Sequence, residues 1–225
     1  MKDGIRSRPF FLNEMRGDAV NKPRHLTVRE WKCVLVASYF SVGKHEEGFV
    51  ELKDGLTTYG ISERAFSELF LHLSLLLGFP TMLEGLAMLR SVAEQPESRT
   101  DRGMKNNQVF GRGMRTLKRV YGGTMNRLLA NLKFLHNAVP GIIVRDVYGR
   151  IISRPGLTLC ERELVNVAVL NIQKLEQQLY SHVRGALRLR VPQKTLGAAI
   201  LLSSQVAEID SVPALRLLSS FAKSS

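Results

Sequence analysis

The sequence predicts an all-α protein, and three observations carry that prediction. Leu, Val and Ala dominate a chain of 225 residues in which aromatics are only 7%, a composition that suits helices better than a sandwich or barrel. Apolar residues recur at helical spacing in run after run. Capping signatures and glycines punctuate those runs where helices start and stop. With 44% hydrophobic content, the chain can fill the core of one large or two small domains.

Residues 1–24 read as an irregular arm. They contain Arg6, Arg8 and Arg16 but also Asp3, Glu14 and Asp18, which makes a poor transit peptide, and they lack a secretory apolar core. The first helix starts at Leu26-Thr27-Val28-Arg29-Glu30. There Thr27 can cap the backbone while Glu30, three residues on, reaches back. Trp31, Val34, Leu35 and Ser38 continue it to about Val42, and Gly43 ends it. A second helix spans about Glu46 to Tyr59. Ser62 caps a third, strongly apolar one that Gly78-Phe79-Pro80 closes. Thr81 and Glu84 form another capping box and open a fourth helix reaching Val92.

Residues 95–115 break the pattern with Pro96, three glycines and paired asparagines, and they read as a basic linker. Helices resume from Thr116 to His136 and from Pro140 to about Tyr148. An SRPGL turn follows, then helices over Cys160–Ile172 and Leu175–Leu189. Pro192 opens the last long one, to about Val206.

The net charge of +12 is uneven. Residues 1–32 carry +4 and 33–97 carry −5, while 98–119, 120–154 and 155–225 carry +6, +4 and +3. Such a field attracts phosphate-rich polymers or anionic surfaces and is silent about fold. Two distant cysteines, Cys33 and Cys160, make no disulfide framework or zinc pattern, so an intracellular, reducing setting is expected. No apolar run approaches the eighteen or so residues that span a bilayer, and no membrane partner is expected.

Laying residues 26–60 over 157–190 exposes an internal repeat. Leu26-Thr27-Val28 falls on Leu157-Thr158-Leu159 and Glu30 on Glu161, at a constant offset of 131. Lys32 then takes the place of Glu163. With one extra residue in the inter-helix loop, Leu52 takes the place of His182, so the first copy lacks both polar residues of the second.

The pattern YGxxxSRPGL-x5-REL followed by QLYSHVRGAL resembles the carboxymuconolactone decarboxylase family of the alkylhydroperoxidase D-like superfamily. LTVREWKCVLVASY and HLSLLLGFP resemble a more divergent copy of the same module. The resemblance implies an all-α bundle, tandem modules at 25–94 and 116–225, and trimers or hexamers if the protein is a free enzyme. Peroxidases of the superfamily use Glu-x11-Cys-x2-Cys-x3-His. Here that ruler falls on Glu163, Leu175, Gln178 and His182, and with both thiols absent dithiol peroxidase activity is not expected. The decarboxylase branch implies no cofactor and no metal. It needs an acid/base pair, for which Glu163 and His182 stand, because imidazole titrates near neutral pH. It also needs a cation to grip the substrate carboxylate, with Arg154 and Arg184 as candidates. Structural alternatives stay open: a satisfied helix histidine, an Arg162–Glu163 ion pair, and Arg154 as a helix cap. Cys160 reads as a small buried filler ahead of a redox thiol.

Two departures from the family weigh toward another role. The usual glycine after HxRGAL, where the chain turns with positive φ, is Arg190 here, and the acidic start of the next helix is replaced by VPQKT. Arg188, Arg190 and Lys194 then continue a basic stripe from Arg184, and Arg112, Arg115, Lys118 and Arg119 add a second cluster. Phosphate backbones bind such cations without sequence preference. The leading expectation is therefore a repurposed, non-catalytic basic subunit of an RNA-rich assembly such as a mitochondrial ribosome, in the mitochondrial matrix rather than the cytoplasm. The alternative is a small-molecule enzyme of the lactone-decarboxylase type.

Overall fold

The computed structural model describes residues 20–93 and 105–221. Among these the chain is an all-α bundle of the alkylhydroperoxidase D-like kind, with ten α-helices and no strand. They are α1 (Val28–Ser41), α2 (His45–Thr57), α3 (Glu63–Val92), α4 (Asn106–Tyr121), α5 (Met125–Leu135), α6 (Val139–Ile142), α7 (Leu159–Ile172), α8 (Glu176–Arg188), α9 (Gln193–Ala207) and α10 (Val212–Ser220). A π-helical stretch, Ile143–Ile152, continues α6.

Helices α1 and α7 form the centre. In α7 every residue from Glu161 to Asn171 is buried, and in α1 so is every residue from Trp31 to Ser38. Each serves two cores. One core joins Leu35, Leu164, Val183 and Leu196, and the other joins Val36, Phe66, Leu73 and Val165. Both helices open with the same device. Thr27 accepts from the Glu30 amide at 3.2 Å and its own N–H donates to Glu30 Oε2 at 2.8 Å. Thr158 and Glu161 do the same at 3.2 and 2.7 Å. Each such box satisfies two orphan donors of a helix end.

The offset extends beyond the caps. Helices α1 and α7 are separated by 131 residues at both ends, and so are α2 and α8. Left-handed backbone recurs in step, at Gly43 and Lys174, at Gly60 and Arg190, and at Gly78 and Glu208. The loop between the first two helices therefore carries no insertion. The additional residue lies in the next loop, because α3 and α9 start 130 apart. The residue matching His182 is thus Glu51 rather than the expected Leu52.

Three other expectations change. Residues 106–115, read as linker, form most of α4, with Lys105 at its N-cap; residues 95–104 lie outside the described residues, as does most of the N-terminal arm. The glycines that looked like breakers let two backbones touch: a Cβ on Gly113 would stand 1.9 Å from the Val144 carbonyl oxygen. The Thr81–Glu84 capping box does not form. Gly78 (φ 86°, ψ 172°) breaks the helical geometry, so α3 is two helical segments meeting at a kink where the sequence placed the end of one helix and the start of the next. At that start Thr81 donates to the Leu77 carbonyl and Glu84 pairs with His45 at 2.7 Å. By length and composition α3 could then cross a membrane, yet Phe66, Leu69, Phe70 and Leu73 are buried in the core.

Candidate functional site

Glu163 and His182 meet. Glu163 is on the second turn of α7, and His182 lies in the middle of α8, which folds back against it after a turn of three residues. Glu163 Oε2 is 2.8 Å from His182 Nδ1, with the carboxylate 3% exposed and the imidazole 20% exposed. A carboxylate at that distance requires a proton on Nδ1. His182 Nε2 has no hydrogen-bond partner among the described residues.

Two further residues, which sequence reasoning missed, complete the cluster. Asn166, one turn after Glu163, donates from Nδ2 to Glu163 Oε1 (3.4 Å), and the same nitrogen lies 3.1 Å from His182 Nδ1, whose proton is committed to Glu163 and which therefore does not accept from it. Its Oδ1 sits 2.8 Å from Nε2 of His72, on α3. The orientation of the amide is set by charge, since the reverse would aim its oxygen at the carboxylate. Burial, assisted by Arg162, depresses the His72 imidazole to about 3. His72 is therefore neutral, and its Nε2–H donates to Asn166. The one available signal for Asn166 was its spacing of three from Glu163; His72 stood in the HLSLLLGFP phrase, 94 residues from its partner.

Tyr121 of α4 and Tyr148 of the π-helical stretch roof this cluster. Burial drives the Tyr121 hydroxyl up to about 12, against a hydrogen bond from Tyr148 that lowers it. Burial also raises the Tyr148 hydroxyl well above its ordinary value, with Tyr121 and Glu163 adding to the effect. Val120, Leu117 and Ile152 seal the roof. Gly185 lets it close, since a Cβ there would fall 2.8 Å from Val120 Cγ1 and 3.5 Å from Glu163 Oε2.

The remaining candidates scatter. Arg154 is drawn inward by the SRPGL turn, where Gly156 adopts φ 115°, and its Nε donates to both oxygens of Glu68 at 2.8 and 3.1 Å. The same carboxylate accepts from the fully buried Arg162 at 3.2 Å. Arg162 thus pairs with Glu68 rather than with its neighbour Glu163. Arg184 is exposed on α8 and two residues from His182, so the two point to different sides of the helix. Arg112 Nε donates to the Gly149 carbonyl at 2.8 Å and so braces α4 against the π-helical stretch. Arg115, Lys118, Arg119, Arg188, Arg190 and Lys194 are all exposed. Cys160 donates to the Leu189 carbonyl at 3.8 Å. Burial, then Glu30, Glu161 and Glu163, raise its thiol above the ordinary value, which opposes thiolate chemistry. Among the described residues no group of three or more His, Cys, Asp or Glu side chains is arranged to hold a metal ion.

The positions 131 residues earlier, on α1 and α2, hold different chemistry. Lys32, in the place of Glu163, is 2% exposed and ion-paired to Glu51, in the place of His182, and to Asp54 at 2.6 Å. Its ammonium also lies 4.2 Å from the Trp31 ring centroid and 5.2 Å from that of Tyr59. Burial works to raise the Asp54 carboxyl, and hydrogen bonds from Lys32 and Thr58 more than offset it. Leu35 and Leu202 stand where Asn166 and His72 would be, both buried.

Over 105 residues the chain is 32% identical to a 4-carboxymuconolactone decarboxylase of Acinetobacter baylyi, a match covering 46% of this chain and 78% of the relative. No family model matches the chain.

Proposed function

The chain belongs to the carboxymuconolactone decarboxylase family, and from that premise we propose that it is a cofactor-free acid–base enzyme of the lactone-decarboxylase type with one working site. The observation that carries this reading is the 2.8 Å contact between Glu163 Oε2 and His182 Nδ1, which commits one ring nitrogen and leaves Nε2 to exchange a proton with a substrate. In the decarboxylation, the bond between carbon and the departing carboxylate breaks, CO2 leaves, and the electron pair stays on carbon. That carbon takes the proton from Nε2 of the imidazolium, and the neutral ring is reprotonated from water. Glu163 offsets the imidazolium charge and holds the ring, while Asn166 donates to the other carboxylate oxygen. General acid–base groups of this kind contribute about 10²–10⁴-fold in rate.

We further read the chain as two copies of one helical module, one built on α1–α3 and the other on α7–α9. Only the second copy keeps the acid–base pair. The shared helix boundaries, caps and left-handed positions support this division.

The test is release of CO2 from a carboxylated lactone by the purified protein. Turnover in the wild type, lost with Glu163→Gln and with His182→Asn, is the expected result. Turnover that survives both substitutions, or none in the wild type across a panel of such lactones, overturns the proposal.

One observation favours a second reading, docking on an RNA backbone within a ribonucleoprotein assembly. Arg115, Lys118, Arg119, Arg184, Arg188, Arg190 and Lys194 are exposed, and none makes an ion pair among the described residues. Binding to single- or double-stranded RNA should then weaken steeply with salt. Elution from cells as a free trimer or hexamer at physiological salt would sink this reading and favour the enzyme. Co-sedimentation with RNA in the mitochondrial matrix, reversed by nuclease, would favour it.

A further inference from the structure

A cavity of about 300 Å³ opens beside the turn between α7 and α8, on the α10 side of the second copy. Its apolar wall includes Leu179 and Ala214, and its polar end gathers Asn171, Lys174, Glu176 and Asp210. The first copy explains why the space exists. Phe40 holds the place of Asn171 there, with its ring centroid 5.0 Å from that of Phe70 and 4.8 Å from that of His45. Gly48, in the place of Leu179, lies so close that a Cβ on it would stand 2.7 Å from the Phe40 ring. An aromatic ring thus fills one copy, and an amide replaces it in the other.

That amide is turned away from the space it vacates. Asn171, 5% exposed, directs Nδ2 to Ser203 Oγ (3.0 Å), Ser204 Oγ (2.9 Å) and the Ile200 carbonyl (3.4 Å). The Ile200 carbonyl can only accept, which fixes the amide orientation. Oδ1 is left with no donor among the described residues, on a side chain that lines the cavity. Solvent reaches Oδ1 on this otherwise buried side chain, so a ligand with an N–H or O–H group can take the place of water on it. The charges at this end narrow the choice. Glu176 and Asp210 outnumber Lys174; among the described residues Glu176 and Lys174 make no ion pair, and Asp210 Oδ1 accepts only from the Val212 amide, at 2.9 Å.

We propose that this cavity is a binding site for a small apolar molecule ending in a primary amine. The ammonium donates to Asn171 Oδ1 and is attracted by Glu176 and Asp210; the hydrocarbon body runs along Leu179 toward Ala214. Two carboxylates at the same end repel the carboxylated lactones considered for the Glu163–His182 site, so this site takes a different class of molecule. Neither proposal depends on the other.

Titration of the wild-type protein with benzylamine, benzyl alcohol, toluene and benzoate, followed by calorimetry and by thermal shift, tests the idea. Saturable binding of benzylamine is expected, at least about tenfold tighter than toluene, with benzyl alcohol between them and no binding of benzoate. Asn171→Phe, made together with Leu179→Gly so that the ring has the room that Gly48 gives Phe40, should stay folded by circular dichroism and lose the site. Glu176→Gln should weaken benzylamine several-fold and leave benzyl alcohol unchanged. If the Asn171→Phe, Leu179→Gly variant does not fold, Leu217→Trp obstructs the cavity from α10 and serves the same purpose. Equal affinity for toluene and benzylamine, preference for benzoate, absence of saturable binding, or binding retained in a folded cavity-filled variant each overturns the proposal.

Discussion

Two partly buried polar pairs occupy matching positions in this molecule, and their donors and acceptors are exchanged. In the second copy, α7 supplies a carboxylate, Glu163, and α8 an imidazole, His182. In the first, α1 supplies an ammonium, Lys32, and α2 a carboxylate, Glu51. Lys32 is saturated: two carboxylates and two aromatic faces surround it. His182 is half-committed, with one nitrogen held and the other unpartnered. The lesson is that a helical frame tolerates either polarity, since what it demands at these positions is charge compensation. Chemistry demands more, namely a group that keeps one proton-exchanging atom unoccupied.

The largest expected effect comes from importing the first pair into the second site. The double variant Glu163→Lys, His182→Glu should keep the fold, as judged by its helical circular dichroism and cooperative unfolding, while turnover of a carboxylated lactone falls about 10²–10⁴-fold. The reverse transplant, Lys32→Glu with Glu51→His, should gain no turnover, because Leu35 and Leu202 cannot do what Asn166 and His72 do. Activity in the reverse transplant would show that the dyad needs no supporting amide.

Next in size is the stability stored in the first pair. Lys32→Met leaves Glu51 and Asp54 facing each other without a cation, and stability in urea should fall by about 3 kcal/mol. Glu163→Gln should cost less, because a neutral imidazole can remain beside an amide. Equal losses at the two sites would remove the distinction between a saturated and a half-committed pair.

His72 should mark the second copy by pH. Its folded-state value near 3 lies below the ordinary value of 6.5, so above pH 6.5 neither state binds the proton. As pH falls from 6.5 toward 3, the unfolded chain takes up a proton that the folded chain refuses, and stability drops. The contribution approaches about 1.4 kcal/mol per pH unit. Urea midpoints across that window should be correspondingly flatter in His72→Leu, which copies Leu202 of α9.

The smallest contrast concerns the left-handed turns after α2 and α8. Arg190 adopts φ 65° where the first copy has Gly60 at 62°, and a side chain in that region is strained. Arg190→Gly should raise thermal stability by up to about 1 kcal/mol, and Gly60→Ala should lower it by a similar amount. Matching thermal unfolding curves would indicate that the longer loop after α2 relieves the difference.

What could be read without coordinates follows from how far each interaction reaches along the chain. The boxes at Thr27 and Thr158 involve residues three apart, and both were legible. The nineteen-residue span from Glu163 to His182 was legible because two helices and a short turn bring those turns together. Asn166 was passed over because a mid-helix amide in an apolar run carries no signal of its own. Its partner His72 arrives from another part of the chain. Glu51 was missed for a different reason: a single misplaced loop residue hid the Lys32 pair by moving the register to Leu52. In α4, Gly111 and Gly113 looked like linker residues because a sequence cannot distinguish a flexible glycine from one required for backbone contact.

By itself, then, the sequence determined the all-α class, the capped starts of α1 and α7, and the pairing of Glu163 with His182. These rest on period, capping and spacing, which act within about twenty residues. Tertiary structure decided the rest. It bound Arg154 to Glu68, set His72 against Asn166, gave Lys32 its two carboxylates, and left a cavity where Asn171 replaces a ring. Each of these depends on which helices share a buried boundary. There an unpaired charge or an empty volume is costly enough to select partners that no local pattern announces.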